Sequence, residues 1–204
     1  MAFSGDSVQF KFSKLDIFMV REIVLYGHPV LRKKCPPVEE VTGEIEQLAK
    51  DMVETMIDAE GVGLAAPQVA VELQLAVVDV VGAENPCTYL RVDGKDRKLE
   101  DLMPLIFINP ELELSRNREM DFEGCLSIPD LREKVNRPAE LAAHLTLLDG
   151  RKITIETDGL LARAIQHETD HLNGILFIDR LSSVAKIGAK KRLRILQAEW
   201  AEED

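Results

Sequence analysis

Cysteine is scarce in this chain: three residues in 204, at Cys35, Cys87 and Cys125. A secreted domain stapled by disulfides shows a denser, even set, so each thiol here needs its own explanation. Long apolar runs are missing too, and none approaches the roughly 18 residues of a membrane-crossing helix. Arginine is absent from residues 1–18, which carry Asp6 and Asp16 and no compact apolar segment. Neither a secretory signal nor a mitochondrial transit peptide has that composition. Positive charge is the minority, with 25 Lys and Arg against 36 Asp and Glu and a formal charge of −11. Such a field repels DNA and anionic membrane alike, so neither is expected as a partner, although a local basic patch stays open. These shortages together point to a cytoplasmic protein in a reducing compartment.

What is present reads as one globular domain. Apolar residues make up 46% and charged residues 30%, a soluble balance with enough material for a core. Residues 1–18 form an N-terminal extension whose flexibility is left open, and residues 19–204 a single domain without linker or repeat. Thr42 followed by Glu44 and Glu46 marks a helix start. Ile45, Leu48, Met52 and Met56 then recur at helical spacing, and Gly61 and Gly63 are expected to end that helix. Leu73 to Val80 reads as a buried strand. Residues 82–104 are polar and predict a loop or a small excursion. Strand-like text resumes at Leu105–Ile108 and Glu111–Leu114, and Leu141–Leu148, Asp149-Gly150 and Lys152–Thr157 predict a hairpin. Helices are expected at about Gly159–Leu172 and Ser183–Glu202, the second capped by Ser182 or Ser183. Strands in the middle with helices around them predict an α+β fold rather than a doubly wound parallel sheet.

The sharpest local signal is His167-Glu168-Thr169-Asp170-His171. Residues four apart share one helical face, so two imidazoles can converge on one metal ion, while Glu168 beside them can reach a water without being a ligand. The bland alternative is a solvated face with incidental histidines. Leu160, Leu161, Ala164, Ile165 and Leu172 argue against it, because they bury the helix. Two histidines leave a catalytic metal one protein ligand short. A downstream acid such as Asp179 or Glu199 is one solution, and Cys125 in Glu123-Gly124-Cys125-Leu126-Ser127 is another. Cys125 reads equally well as a small buried hydrophobe. The segment Gly61-Val62-Gly63-Leu64-Ala65-Ala66-Pro67-Gln68 lacks the ending of a phosphate-binding loop and, alone, could be an ordinary helix exit.

Together these three segments resemble peptide deformylase, a family marked by GxGLAAxQ, EGCLS and QHExxHL in that order. They stand here as Gly61–Gln68, Glu123–Ser127 and Gln166–Leu172, and weaker likeness runs from about Met19. The resemblance implies removal of the formyl group from the N-terminal formylmethionine of nascent polypeptides, with release of formate. It implies antiparallel or mixed strands around a central metal-binding helix, with a long C-terminal helix. One divalent ion, typically ferrous iron (Fe2+), would sit on Cys125, His167 and His171, although zinc, nickel and cobalt suit the same donors. Glu168 would take a proton from the attacking water and pass it to the leaving amine. The Gln68 side-chain amide and the Leu126 backbone N–H would help hold the oxyanion. Val62, Leu160 and Ala164 would line the methionine pocket, with Arg163 near its mouth, and Gly61 and Gly63 would offer an edge to the peptide backbone. Glu123 and Arg132 would form an ion pair bracing the cysteine loop.

The remaining residues stay bland. Asp170 either orients a ligand histidine or faces solvent, His28 and His144 are packing or surface residues, and Cys35 and Cys87 are free thiols. The basic cluster Lys186, Lys190, Lys191, Arg192 and Arg194 would either touch ribosomal RNA or face water. Two further classes share parts of the pattern. A zincin-type endopeptidase would not need Cys125, and a non-catalytic metal module would not need Glu168.

Overall fold

Residues 75–78 and 105–108 are apolar at every position, and such strands are buried on both faces. The computed structural model, which describes residues 18–203, places them at the centre. They belong to an antiparallel sheet of seven strands. Its spatial order is β1 (Gly63–Ala65), β2 (Leu75–Val78), β5 (Leu105–Leu114), β8 (Glu140–Thr146), β9 (Lys152–Asp158), β3 (Leu90–Val92) and β4 (Lys95–Asp96). Two more strands, β6 (Arg118–Cys125) and β7 (Ile128–Pro138), make a separate antiparallel hairpin.

Alternation along β2 and β5 sorts the core. Leu75, Val77, Ile106 and Ile108 meet helix α1 (Gly43–Asp58) through Leu48, Met52 and Met56. Ala76, Val78, Leu105 and Phe107 meet helix α2 (Gly159–Leu172) through Leu161, Ala164 and Ile165. Thr42 caps α1, its Oγ accepting from the Ile45 N–H at 3.4 Å. The exit differs from expectation: Glu60 takes the left-handed turn at φ 53, and Gly61 and Gly63 lie beyond it. A third cluster joins helix α3 (Ser183–Glu203), through Ala189 and Leu196, to Ile128, Val135 and Phe177. The Ser182 hydroxyl accepts from the Ala185 N–H at 3.2 Å, so Ser182 is the cap.

The two strand segments expected at 105–114 are one strand with a bulge between Ile108 and Glu111. Asn109 occupies the bulge at φ 51, and its amide holds both backbone groups of Val38. Residues 82–104 contain a small hairpin whose strand β3 joins β9, turning at Asp93-Gly94. The β6–β7 hairpin is an addition that the sequence reading did not contain. The extension expected at residues 1–18 lies outside the described residues except for Phe18.

After Phe18 the chain forms a strap. Arg21 ties it to Asp51 on α1 at 2.9 Å. The Val24 N–H then donates to the Gln68 carbonyl at 2.9 Å, and the Tyr26 N–H to the Ser127 carbonyl at 2.8 Å. The strap therefore joins two segments that both bear on the site below. Among the described residues no helix is long and apolar enough to cross a membrane.

Candidate metal centre

Helix α2 is fastened at both ends. At its start the Leu161 N–H donates to the Pro86 carbonyl at 2.9 Å, and the Asp158 carboxylate accepts from the backbone and hydroxyl of Thr88. At its end Gly174 adopts φ 71, a left-handed conformation that favours glycine, and its N–H returns to the His171 carbonyl at 3.0 Å. A side chain there would also collide with the Arg32 carbonyl, 2.7 Å from an added Cβ. Every residue from Leu161 to Leu172 is buried, polar ones included. Buried polar groups demand partners, and Arg163, Gln166, His167, Asp170 and His171 find them on the β6–β7 hairpin, while Glu168 Oε2, Thr169 Oγ1 and His171 Nδ1 have none among the described residues.

The helix presents His167 and His171 to Cys125, at the end of β6. His171 Nε2 lies 3.3 Å from the Cys125 Sγ and 3.2 Å from His167 Nε2. Thiolate and imidazole ligands at roughly 2.3 and 2.0–2.1 Å from a tetrahedral ion would stand about 3.3–3.6 Å apart. The three donors therefore fit a single metal ion. Among the described residues, Cys125, His167 and His171 are the one such group of three or more, with all donor atoms within 4.8 Å of one another.

Glu123 decides which nitrogen of His167 is available. Its carboxylate accepts from His167 Nδ1 at 3.1 Å, leaving Nε2 to face the other donors. Burial opposes ionisation of Glu123. Hydrogen bonds and charge from His167 and Arg137 outweigh it, holding the carboxyl well below the usual carboxylate range. Arg137 is 1% exposed and reaches Glu123 at 2.6 and 2.9 Å. Its third nitrogen meets Asp170 at 2.7 Å, and Arg180 also pairs with Asp170. Asp170 thus neither orients a ligand histidine directly nor faces solvent; it holds Arg137. The expected Glu123–Arg132 pair is not formed. Glu123 points inward to Arg137, while Arg132 lies on the opposite face of the hairpin, 5.7 Å above the Phe122 ring. Arg163 lines the cleft beside Leu160 and Ala164, and its guanidinium bonds Glu123 at 2.6 Å and the Val135 and Glu119 carbonyls, each at 3.1 Å.

Burial works against charge on both imidazoles. His171 is held well below the ordinary histidine value by burial and by the neighbouring His167. At His167, hydrogen bonds to Cys125 and Glu123 overcome burial and push the value up to about 10.

Glu168 follows His167 and packs on Gly63, where an added Cβ would stand 2.8 Å from the carboxyl carbon. The glycine is needed there for space. Burial pushes the Glu168 carboxyl up to about 7, and its Oε2 has no hydrogen-bond partner. Gln68 is oriented by its own turn. Its Oε1 accepts from the Ala65 N–H at 2.8 Å, so Nε2 faces the Ser127 hydroxyl at 3.2 Å and Cys125 Sγ at 3.5 Å. Leu126 forms the turn between β6 and β7, and its side chain lies against Gly61.

A cleft of about 680 Å³ opens over these groups. Val62, Gly63, Leu160, Ala164, Leu126 and Phe122 line it, together with Cys125, His167 and Glu168. A second hollow of about 750 Å³ lies elsewhere, beside His144 and Lys152, and among the described residues no group of three metal donors converges there. His144 is exposed and bonds Glu113 and Thr154, while His28 caps the turn at residues 29–32 and meets Trp200 edge-on. Cys35 is buried, which pushes its thiol up to about 11, and Cys87 is half-buried.

A buried carboxylate beside three convergent donors, under an open cleft, has the working parts of a metal-dependent hydrolase. Comparison with known proteins gives the family. The polypeptide deformylase family model matches residues 20–187. A peptide deformylase of Methylacidiphilum infernorum is 45% identical over 175 residues, covering 86% of this chain and 92% of that protein. The crystal structure of the Thermotoga maritima peptide deformylase is 36% identical at a TM-score of 0.68, covering 80% of this chain and 98% of that one. The Plasmodium falciparum peptide deformylase is 31% identical at a TM-score of 0.76, covering 88% and 97%. The chain belongs to the peptide deformylase family, metal-dependent hydrolases that remove the formyl group from the N-terminal methionine of nascent polypeptides.

Proposed function

We propose that residues 19–204 act as one catalytic unit, with Cys125, His167 and His171 holding ferrous iron and Glu168 moving the proton of the hydrolysis. The observation that carries this reading is a buried carboxylate with a free oxygen, seated beside three convergent donors. A divalent ion held there would supply Lewis acidity toward the water and the formyl oxygen. Glu168 takes a proton from the attacking water as it adds to the formyl carbon. The same carboxyl then gives that proton to the departing amine as the C–N bond breaks. A group near pH 7 is suited to both halves of that exchange. The Gln68 Nε2–H and the Leu126 N–H hold the oxyanion, each donor being worth about 2.7–4 kcal/mol in such sites. Methionine enters the apolar side of the cleft formed by Val62, Leu160 and Ala164, and its backbone lies along Gly63. Arg163 supports that wall from behind through Glu123.

The test is formate release from formyl-Met-Ala-Ser by protein purified without oxygen and loaded with iron or with zinc. Turnover is expected in the iron form and is lost in Glu168→Ala with metal content unchanged. No formate from a fully occupied site would overturn the reading. It also places the protein in the cytoplasm, next to ribosomes. Lys190, Lys191 and Arg194 are exposed on α3, whereas Lys186 and Arg192 are occupied by carbonyls at Asp179 and Pro129. Reversing the three exposed charges should weaken co-sedimentation with ribosomes at low salt, and unchanged binding would sink that contact.

A further inference from the structure

The exposed charges of the β6–β7 hairpin are largely separated by face. The register pairs Phe122 with Lys134 and Met120 with Asn136, and Arg132 is the diagonal neighbour of Phe122. Strand alternation puts Arg118, Met120, Phe122, Arg132 and Lys134 on the outer face. Glu119, Asp121, Glu123 and Glu133 alternate to the other. In a chain of net charge −11, this stretch carries three cations, and the one acid of matching parity on β7, Asp130, is paired with Arg192 at 3.0 Å. Phe122 is 48% exposed, with the Lys134 ammonium 5.2 Å and the Arg132 guanidinium 5.7 Å from its ring centre. Those distances hold both cations on the ring. Among the described residues neither makes an ion pair.

This face continues the catalytic cleft, because Phe122 and Arg132 line the cleft and Met120 and Lys134 extend outward from it. At roughly 3.3 Å per residue, Phe122 lies about 10 Å back along β6 from Cys125, and Met120 about 16 Å back. An extended peptide with its formyl group at the donors would pass those positions at about its third to fifth residues.

We infer that the outer face of this hairpin is a substrate track favouring acidic side chains at the third to fifth residues of the formylated chain. The inference rests on the deformylase reading above and adds a charge preference to it. The aromatic ring supplies a platform for the peptide, and Arg132 and Lys134 supply two unpaired cations. Exposed pairs of this kind are individually weak, so the expected effect is on the order of threefold in KM, with kcat unchanged.

The experiment compares formate release from three amidated pentapeptides, formyl-Met-Ala followed by three Glu, three Gln or three Lys, with the metal-loaded full chain. KM should rise from the Glu to the Gln to the Lys peptide, and 0.5 M salt should compress the series, which falls within the screening expected of exposed charges. In the double variant Arg132→Gln, Lys134→Gln the Glu and Gln peptides should become equal. Both residues are exposed, so the variant is expected to fold. Equal KM values in the unaltered protein, a reversed order, or a preference that survives in the double variant would each overturn the inference. Formate from none of the peptides would instead bring down the deformylase reading, and this inference with it.

Discussion

The two faces of the β6–β7 hairpin are built from neighbouring residues and obey opposite rules. Inward, Glu123 and Arg137 are buried and fully engaged with His167, Arg163 and Asp170. Outward, Phe122 and Lys134 are exposed, and no carboxylate is fixed to the cation. The difference lies in solvent. A buried charge without a partner costs several kcal/mol, so the inner face is saturated, whereas water satisfies the outer one whether or not it is paired. One strand thereby serves rigid positioning of a donor set and an adaptable surface, with only the parity of the residue number separating them.

The comparison can be broken from the inside first. Arg137→Met leaves Glu123 and Asp170 buried without their shared cation and should cost about 3–5 kcal/mol, read as a drop in the denaturation midpoint. A loss below about 1 kcal/mol would mean the inner charges are not coupled as the distances indicate. Glu123→Gln is gentler. It keeps a neutral acceptor beside His167 but weakens the constraint on the ring, and metal affinity should fall about 10- to 100-fold in chelator competition. Unchanged affinity would show that the His167 Nδ1 contact is incidental. The smallest effect belongs to the outer face: Lys134→Met should move stability by no more than about 0.5 kcal/mol. A larger change there would abolish the contrast.

Local periodicity made α1, α2, α3 and the β8–β9 hairpin legible, because helical and strand patterns need only neighbouring residues. The pair His167 and His171 was legible for the same reason. Cys125 was legible only as one candidate third ligand beside Asp179 and Glu199, since nothing in residues 123–127 marks them as meeting a helix some forty positions later; the family resemblance chose between them. Arg132 shows the cost of missing a strand. Residues 118–138 carry charged residues on both faces, so no apolar alternation announces β6 and β7. Had the register been visible, parity would have assigned Glu123 to Arg137 and excluded Arg132, which sits on the other side. The partners of Arg163 were obscured likewise, because they are a carboxylate and two carbonyls of that same hairpin. The glycines at 61 and 63 read as a helix exit but serve close approach, to Leu126 and Glu168 respectively.

The strap has a consequence in time. Its Val24 and Tyr26 amides close onto Gln68 and Ser127, residues that follow them in the chain. During synthesis those amides are made early, and their acceptors emerge much later. A protein that acts on nascent chains therefore finishes docking its own strap late. Arg21 meets Asp51 and Val24 meets Gln68 earlier, whereas Tyr26 stays undocked until the cysteine loop has been translated, and the assembly of the site awaits the helix that comes after it.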